Sequence, residues 1–188
     1  EVVTDGVDLS AGYRWSSSVG EFGVNGQMTY VNQYTLRNVP GLDLGLLESG
    51  EFDAAGTTGD GLLVRSLPDI KGNLSLSWTS NNLSHQAIWI NHFIGSYDNL
   101  SYQNDYLNGN DYVRSIISPE VDSYHRVDLQ YSYTQQWAAG MSEATFTLGV
   151  LDAFNASLPF LYSGPLNYDA AVFDGRGRRF YGRILMRF

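Results

Sequence analysis

The sequence has no cysteine. That single absence removes a disulfide framework, a thiolate metal site and a cysteine nucleophile, while leaving the redox compartment open. There is no apolar run near the ~20 residues that a membrane-crossing helix requires. Charge is scarce, 16% of residues against 43% hydrophobic, and its balance is acidic, with a formal net charge of −9 and a pI near 4.6. A chain without a basic face is poorly matched to phosphate backbones, so a general nucleic-acid binder is disfavoured. None of these absences argues against a β-barrel, which crosses a bilayer with short alternating strands.

What is present is β-forming. The 188 residues include 20 Gly, 13 Tyr, 9 Phe and 4 Trp, a mixture of residues that suit a pleated surface and residues that punctuate it. Alternation of apolar and polar side chains predicts seven strands. Gly6 to Trp15 puts Val7, Leu9, Ala11, Tyr13 and Trp15 on one face and Asp8, Ser10, Gly12 and Arg14 on the other. Phe22 to Tyr34, Ile70 to Thr79, Tyr124 to Tyr133 and Glu143 to Leu151 repeat that division, and Arg178 to Phe188 closes the series. Leu83 to Ile94 is apolar on both faces near its middle, and its faces stay unassigned.

These runs are roughly 9 to 13 residues long, beyond the ~5–6 usual in soluble sheets and close to the ~9–11 of a tilted membrane strand. The connections alternate as well. Segments 16–21, 80–82 and 134–142 are short, whereas 35–69, 95–123 and 152–177 are long. Tight turns on one side and projecting loops on the other are the pattern of an outer-membrane barrel. In the last strand, arginines set the register: Phe180, Ile184, Met186 and Phe188 should face lipid, and Tyr181, Arg183, Leu185 and Arg187 the lumen, because an arginine in lipid costs about 2–4 kcal/mol near the midplane. Phe188 should then lie at the periplasmic rim. Seven strands cannot close on themselves, so the chain reads as the C-terminal part of a longer barrel.

Chemical sites are sparse. His85, His92 and His125 are the only histidines, and they read as interfacial or lumenal side chains rather than metal ligands. No Ser-His-Asp set has a local context, so neither an enzyme nor a cofactor is expected. Gly95 to Val113 interleaves aromatics with amides and carboxylates, and Tyr97, Asp98, Tyr102, Asn104, Tyr106, Asp111 and Tyr112 are the candidate ligand contacts. "NGND" at 108–111 lacks EF-hand spacing. "GEFDAAGTTGDG" at 50–61 reads as a loop tip without anchors. "DGRGRR" at 174–179, the one basic cluster, either meets lipopolysaccharide at the outer rim or pairs with nearby acids.

Two stretches carry a resemblance. "GVLDAFNASLPF" (Gly149 to Phe160) is similar to the penultimate-strand motif of TonB-dependent outer-membrane receptors, with Ala153 where leucine is more usual. "YDAAVFDGRGRRFYGRILMRF" (Tyr168 to Phe188) resembles their last loop and strand. "RSLPDIKGNLSLSW" and "VDSYHRVDLQYSY" also look like strands of this family. The resemblance implies a barrel of 22 strands in the bacterial outer membrane, occluded by an N-terminal plug that precedes this segment. It further implies active import of a scarce nutrient, such as a siderophore, cobalamin or glycan, energised through the TonB complex. Lipid and lipopolysaccharide would surround it, and the barrel-assembly machinery would read Phe180, Ile184, Met186 and Phe188. A passive porin-type channel and a secreted β-sandwich binding module remain the alternatives.

Overall fold

The computed structural model describes residues 1–37, 51–58, 66–100, 119–136, 143–161 and 166–187. Seven long strands form one antiparallel meander: β1 (Val2–Ser17), β2 (Gly20–Arg37), β5 (Ile70–Thr79), β6 (His85–Ile94), β9 (Tyr124–Gln136), β10 (Glu143–Leu151) and β11 (Arg179–Arg187). Each pairs with the next long strand in sequence. The sheet is open, with β1 and β11 at its two edges.

All seven predicted strands are present, and the two longest exceed their alternating runs. β1 and β2 reach 16 and 18 residues and are joined by the two-residue turn Ser18-Val19. Gly20 ends that turn with φ +144°, and a Cβ there would lie 2.2 Å from the Thr79 carbonyl oxygen, so glycine is required by both angle and space. Trp78 Nε1 donates to Val19 O at 3.1 Å and Asn81 Nδ2 to Ser18 O at 2.8 Å, tying this turn to the next one. Towards the long-loop end, the β1–β2 register shifts between Asp5 and Gly6, a bulge that bends the wall.

Register resolves what periodicity could not. Trp78 pairs with Ala87, Leu76 with Trp89 and Gly72 with Phe93. The row Ala87, Trp89, Asn91 and Phe93 therefore continues the apolar face, and Ile88, Ile90, His92 and Ile94 join the polar one. Leu129, Val150 and Phe180 lie in register across β9, β10 and β11, as do Tyr133, Phe146 and Ile184. Phe180, Ile184 and Met186 thus stand in the outward row, and Arg183 and Arg187 in the inward one, as the electrostatic argument requires. Phe188 lies outside the described residues.

Inside the wall, hydroxyls pair across strands, Ser132 with Thr147 and Thr134 with Thr145, both at 3.0 Å. Tyr181 lies across Gly149, where a Cβ would come within 2.2 Å of its ring, and its hydroxyl donates to Gln130 Oε1 one strand further on.

Four short strands fall within the long connections: β3 (Glu51–Asp53), β4 (Thr57–Thr58), β7 (Tyr97–Asn99) and β8 (Glu120–Val121). β3 extends the main sheet beside β2, while β4, β7 and β8 form a separate three-stranded sheet that joins two long loops. The 50–61 segment is accordingly anchored where it is described, contrary to its unanchored composition. Asp98 N donates to Gly56 O at 2.8 Å, Gly56 N to Leu67 O at 2.8 Å, and Asp53 Oδ1 accepts from Tyr34 N and Ala55 N. Backbone pairing, which composition does not reveal, holds it in place together with the Asp53 carboxylate.

The third long loop completes this cap. Leu161 and Phe173 pack with Tyr97, Val121 and Tyr124 into a buried cluster. Asp169 organises it: Oδ2 accepts from the Tyr97 hydroxyl at 2.8 Å, Oδ1 from Ala171 N at 3.0 Å, and its carbonyl oxygen from Val172 N and Phe173 N.

Candidate ligand-contact site in the lumenal wall

The polar face carries side chains in cross-strand rungs. One rung reads Gln27, Asn73, His92 and Arg126; the next towards the cap reads Asp8, Thr29, Lys71, Ile94 and Tyr124. Antiparallel pairing at a strand spacing of about 4.8 Å sets these groups side by side. Val172, Phe173 and Asp174 bend over them, and together they enclose a pocket of about 350 Å³.

Asp128 orders the polar chemistry. Its Oδ2 meets His92 Nε2 at 3.0 Å and Arg126 NH2 at 3.2 Å, while Oδ1 accepts from Asp152 N at 2.8 Å. His92 Nδ1 lies 2.6 Å from Asn73 Oδ1. The His92 ring is thus held from both sides, and the Arg126 guanidinium is tethered through NH2 to Asp128. Arg126 Nε is buried with no acceptor among the described residues. Lys71, the chain's only lysine, has no ion-pair partner among the described residues.

At the roof, Asp174 takes a two-point contact from Arg176 (Nε and NH2, both 2.8 Å) and a third bond from Arg179 NH2 at 2.7 Å. The Arg176 hydrogen bonds hold the Asp174 carboxyl well below the usual carboxylate range, and the same contact raises Arg176. The basic 174–179 cluster is therefore largely self-paired, the ordinary pairing allowed by its sequence.

The remaining sequence candidates separate. Tyr97, expected to offer a ring to ligand, is instead 2% exposed. Burial first, and then its bond to Asp169, drive its hydroxyl far above the ordinary tyrosine range, so its ring faces are covered and its role is in the cap. Asp98 is exposed. Tyr102, Asn104, Tyr106, Asp111 and Tyr112 lie outside the described residues, as does the 108–111 segment. The histidines face different ways. His92 points into the lumenal face, while His85, against Tyr131 Oη at 2.6 Å, and His125, its ring tilted against Phe93 at 4.8 Å, stand in the opposite row. Among the described residues no three His, Cys, Asp or Glu side chains gather as a metal site would need.

Lys71, Asn73, His92, Arg126 and Asp128 were not predicted as a site. Arg126 and Asp128 were legible as polar-face residues of their strand, but His92 lay in the stretch whose faces could not be assigned. A larger groove, about 630 Å³, opens on the other face over Leu76, Trp78, Trp89, Leu129 and Phe180. Its apolar lining suits hydrocarbon, so the smaller polar pocket is the chemical candidate.

The family model described as TonB dependent receptor-like, beta-barrel matches residues 1–153, which take in the first six long strands. Comparisons with curated proteins and with solved structures gave no match. With most of its length matched and its strands laid out as an outer-membrane wall, this chain belongs to the TonB-dependent receptor β-barrel family, outer-membrane proteins of TonB-dependent transport rather than enzymes.

Proposed function

We propose that the chain is the C-terminal wall of a barrel that imports one scarce small nutrient, a siderophore, cobalamin or glycan, with the lumenal pocket at Lys71, His92 and Arg126 on the cargo's path. The observation that carries this reading is the ordered polar pocket on the inner face, roofed by Phe173 and Asp174 at the long-loop end. An inert wall has no need of a carboxylate hub that orients two nitrogen side chains. Asp98 and the aromatic-amide residues Tyr102, Asn104, Tyr106, Asp111 and Tyr112 would meet the cargo first. The remaining strands, up to 22, and a plug would come from a preceding segment, since the open edges β1 and β11 would otherwise leave backbone groups unpaired in hydrocarbon.

Solute depletion measured by mass spectrometry tests this. Cells with the full-length protein should remove one class of solute from the medium, and inactivating TonB should stop it. Depletion that persists without TonB would favour a diffusion channel and overturn the reading. The outward row of Phe180, Ile184 and Met186 also supports recognition of the last strand by the assembly machinery. Removing Phe188 should lower the surface level of folded barrel, and normal levels would sink that part.

A further inference from the structure

The lumenal pocket has a sign. The chain as a whole carries −9, yet among the described residues that line this pocket Asp174 is the one carboxylate, and both it and the neighbouring Asp128 are paired with arginine. Asp128 accepts from three groups, and Asp174 is shared by two arginines. Asp8, at the far end of the Lys71 rung, accepts from Thr29 Oγ1 at 2.6 Å. Set against them, among the described residues, are Lys71 without a counter-ion and Arg126, which spends NH2 on Asp128 and has no acceptor at Nε. Arg176 and Arg179 together outweigh Asp174 in the roof. Among the described side chains that line the pocket, Lys71 and Arg126 outnumber the one carboxylate, Asp174, which Arg176 and Arg179 hold.

We propose that this pocket takes an anionic group of the cargo, a carboxylate or phosphate, held between the Lys71 ammonium and the Arg126 guanidinium. The inference rests on the pocket being part of the transport path. Gln27, Thr29 and Asn73 line the same pocket and supply amide and hydroxyl groups for the cargo's other oxygens. Asp128 acts as a positioning residue, since its contacts with His92 and Arg126 keep the guanidinium at the pocket wall. A neutral sugar of equal size gains nothing from the two cations, so the site selects by charge.

The test uses the full-length receptor in detergent, titrated calorimetrically with inorganic pyrophosphate and, separately, with glucose. Pyrophosphate should bind saturably at one site and weaken as sodium chloride rises; glucose should show no binding. Lys71 is exposed and has no ion-pair partner among the described residues, so Lys71→Gln and Lys71→Glu should fold normally, checked by the heat-dependent gel shift of an intact barrel. Lys71→Gln should weaken pyrophosphate about tenfold and Lys71→Glu should abolish binding, as expected for loss and reversal of a direct charge contact. Wild-type protein without saturable anion binding, or the same affinity in both variants, would overturn the proposal. Solute depletion in the same strains separates the two readings. TonB-dependent uptake that is unchanged in Lys71→Glu cells defeats the anion site and leaves transport standing, whereas TonB-independent uptake by the wild type defeats transport itself.

Discussion

In the strand wall, Leu148, Phe180 and Ile184 stand 68, 78 and 61% exposed, whereas in the loop cap Val121, Tyr97 and Leu161 are 0, 2 and 3% exposed. The same residue types are turned outward in one region and inward in the other. The wall keeps its backbone paired in ladders and leaves its apolar side chains to lipid, which is the partner that completes its burial. The cap lies at the long-loop end and follows the rule of soluble domains, in which apolar rings leave water by packing on each other. One chain therefore draws on two solvents, and a substitution should be felt according to which solvent its residue faces.

That contrast can be broken by crossing the two environments. Phe173→Ala should cost about 3–5 kcal/mol, the usual range for an aromatic removed from a packed core, with the loss confined to the cap. Faster hydrogen exchange at Tyr97–Asn99 and Glu120–Val121 with an unchanged thermal midpoint for the barrel is the expected result; a collapse of the whole barrel would erase the distinction. The reciprocal change, Leu148→Arg, places a cation in the lipid-facing row near mid-strand and should cost about 2–4 kcal/mol. Urea unfolding in lipid vesicles should register it, while cap exchange stays as in the wild type.

A smaller loss is expected from Tyr97→Phe, which keeps the ring and leaves Asp169 Oδ2 without its buried donor, at about 1–3 kcal/mol. Cap exchange would again be the measurement, and a neutral effect would show that packing alone holds the three loops. The smallest effect is that of acid. Asp174 has its carboxyl held below the ordinary range by Arg176, so its contribution is complete at neutral pH. It declines only as pH falls below the ordinary carboxylate pKa and disappears well below that point. Proteolysis of the 168–178 loop on intact barrels should rise in that acid window and should not change on the alkaline side of neutrality.

The two regions also differ in how far they can be read from sequence. The wall was legible because side-chain alternation is a property of each strand by itself: Val127, Leu129, Tyr131 and Tyr133 lie opposite Arg126, Asp128, Gln130 and Ser132 whatever the neighbours do. The cap was not legible. Tyr97 and Asp169 are 72 residues apart, and nothing local to Tyr97 distinguishes a ring that packs under a loop from one that meets a ligand. The same limit hid the 51–58 anchor, which depends on main-chain bonds to residues 67 and 98 and on the Asp53 carboxylate's bond to Tyr34 N, partners that lie outside the segment.

The lumenal pocket lay between these cases. Its residue types could be assigned to a polar face on β5 and β9, but Leu83 to Ile94 offered apolar groups to both sides, and only pairing with Asn73 and Arg126 turned His92 inward. The sequence by itself determined which solvent the faces of six of the seven long strands meet, the sidedness of the connections and the inward turn of the last arginines, because all three follow from period-2 geometry and the cost of charge in lipid. Tertiary structure alone decided that Lys71, His92 and Arg126 share one pocket under Phe173. The physical reason is that a rung is set by the register between strands, and register is a relation among distant segments that no single segment contains.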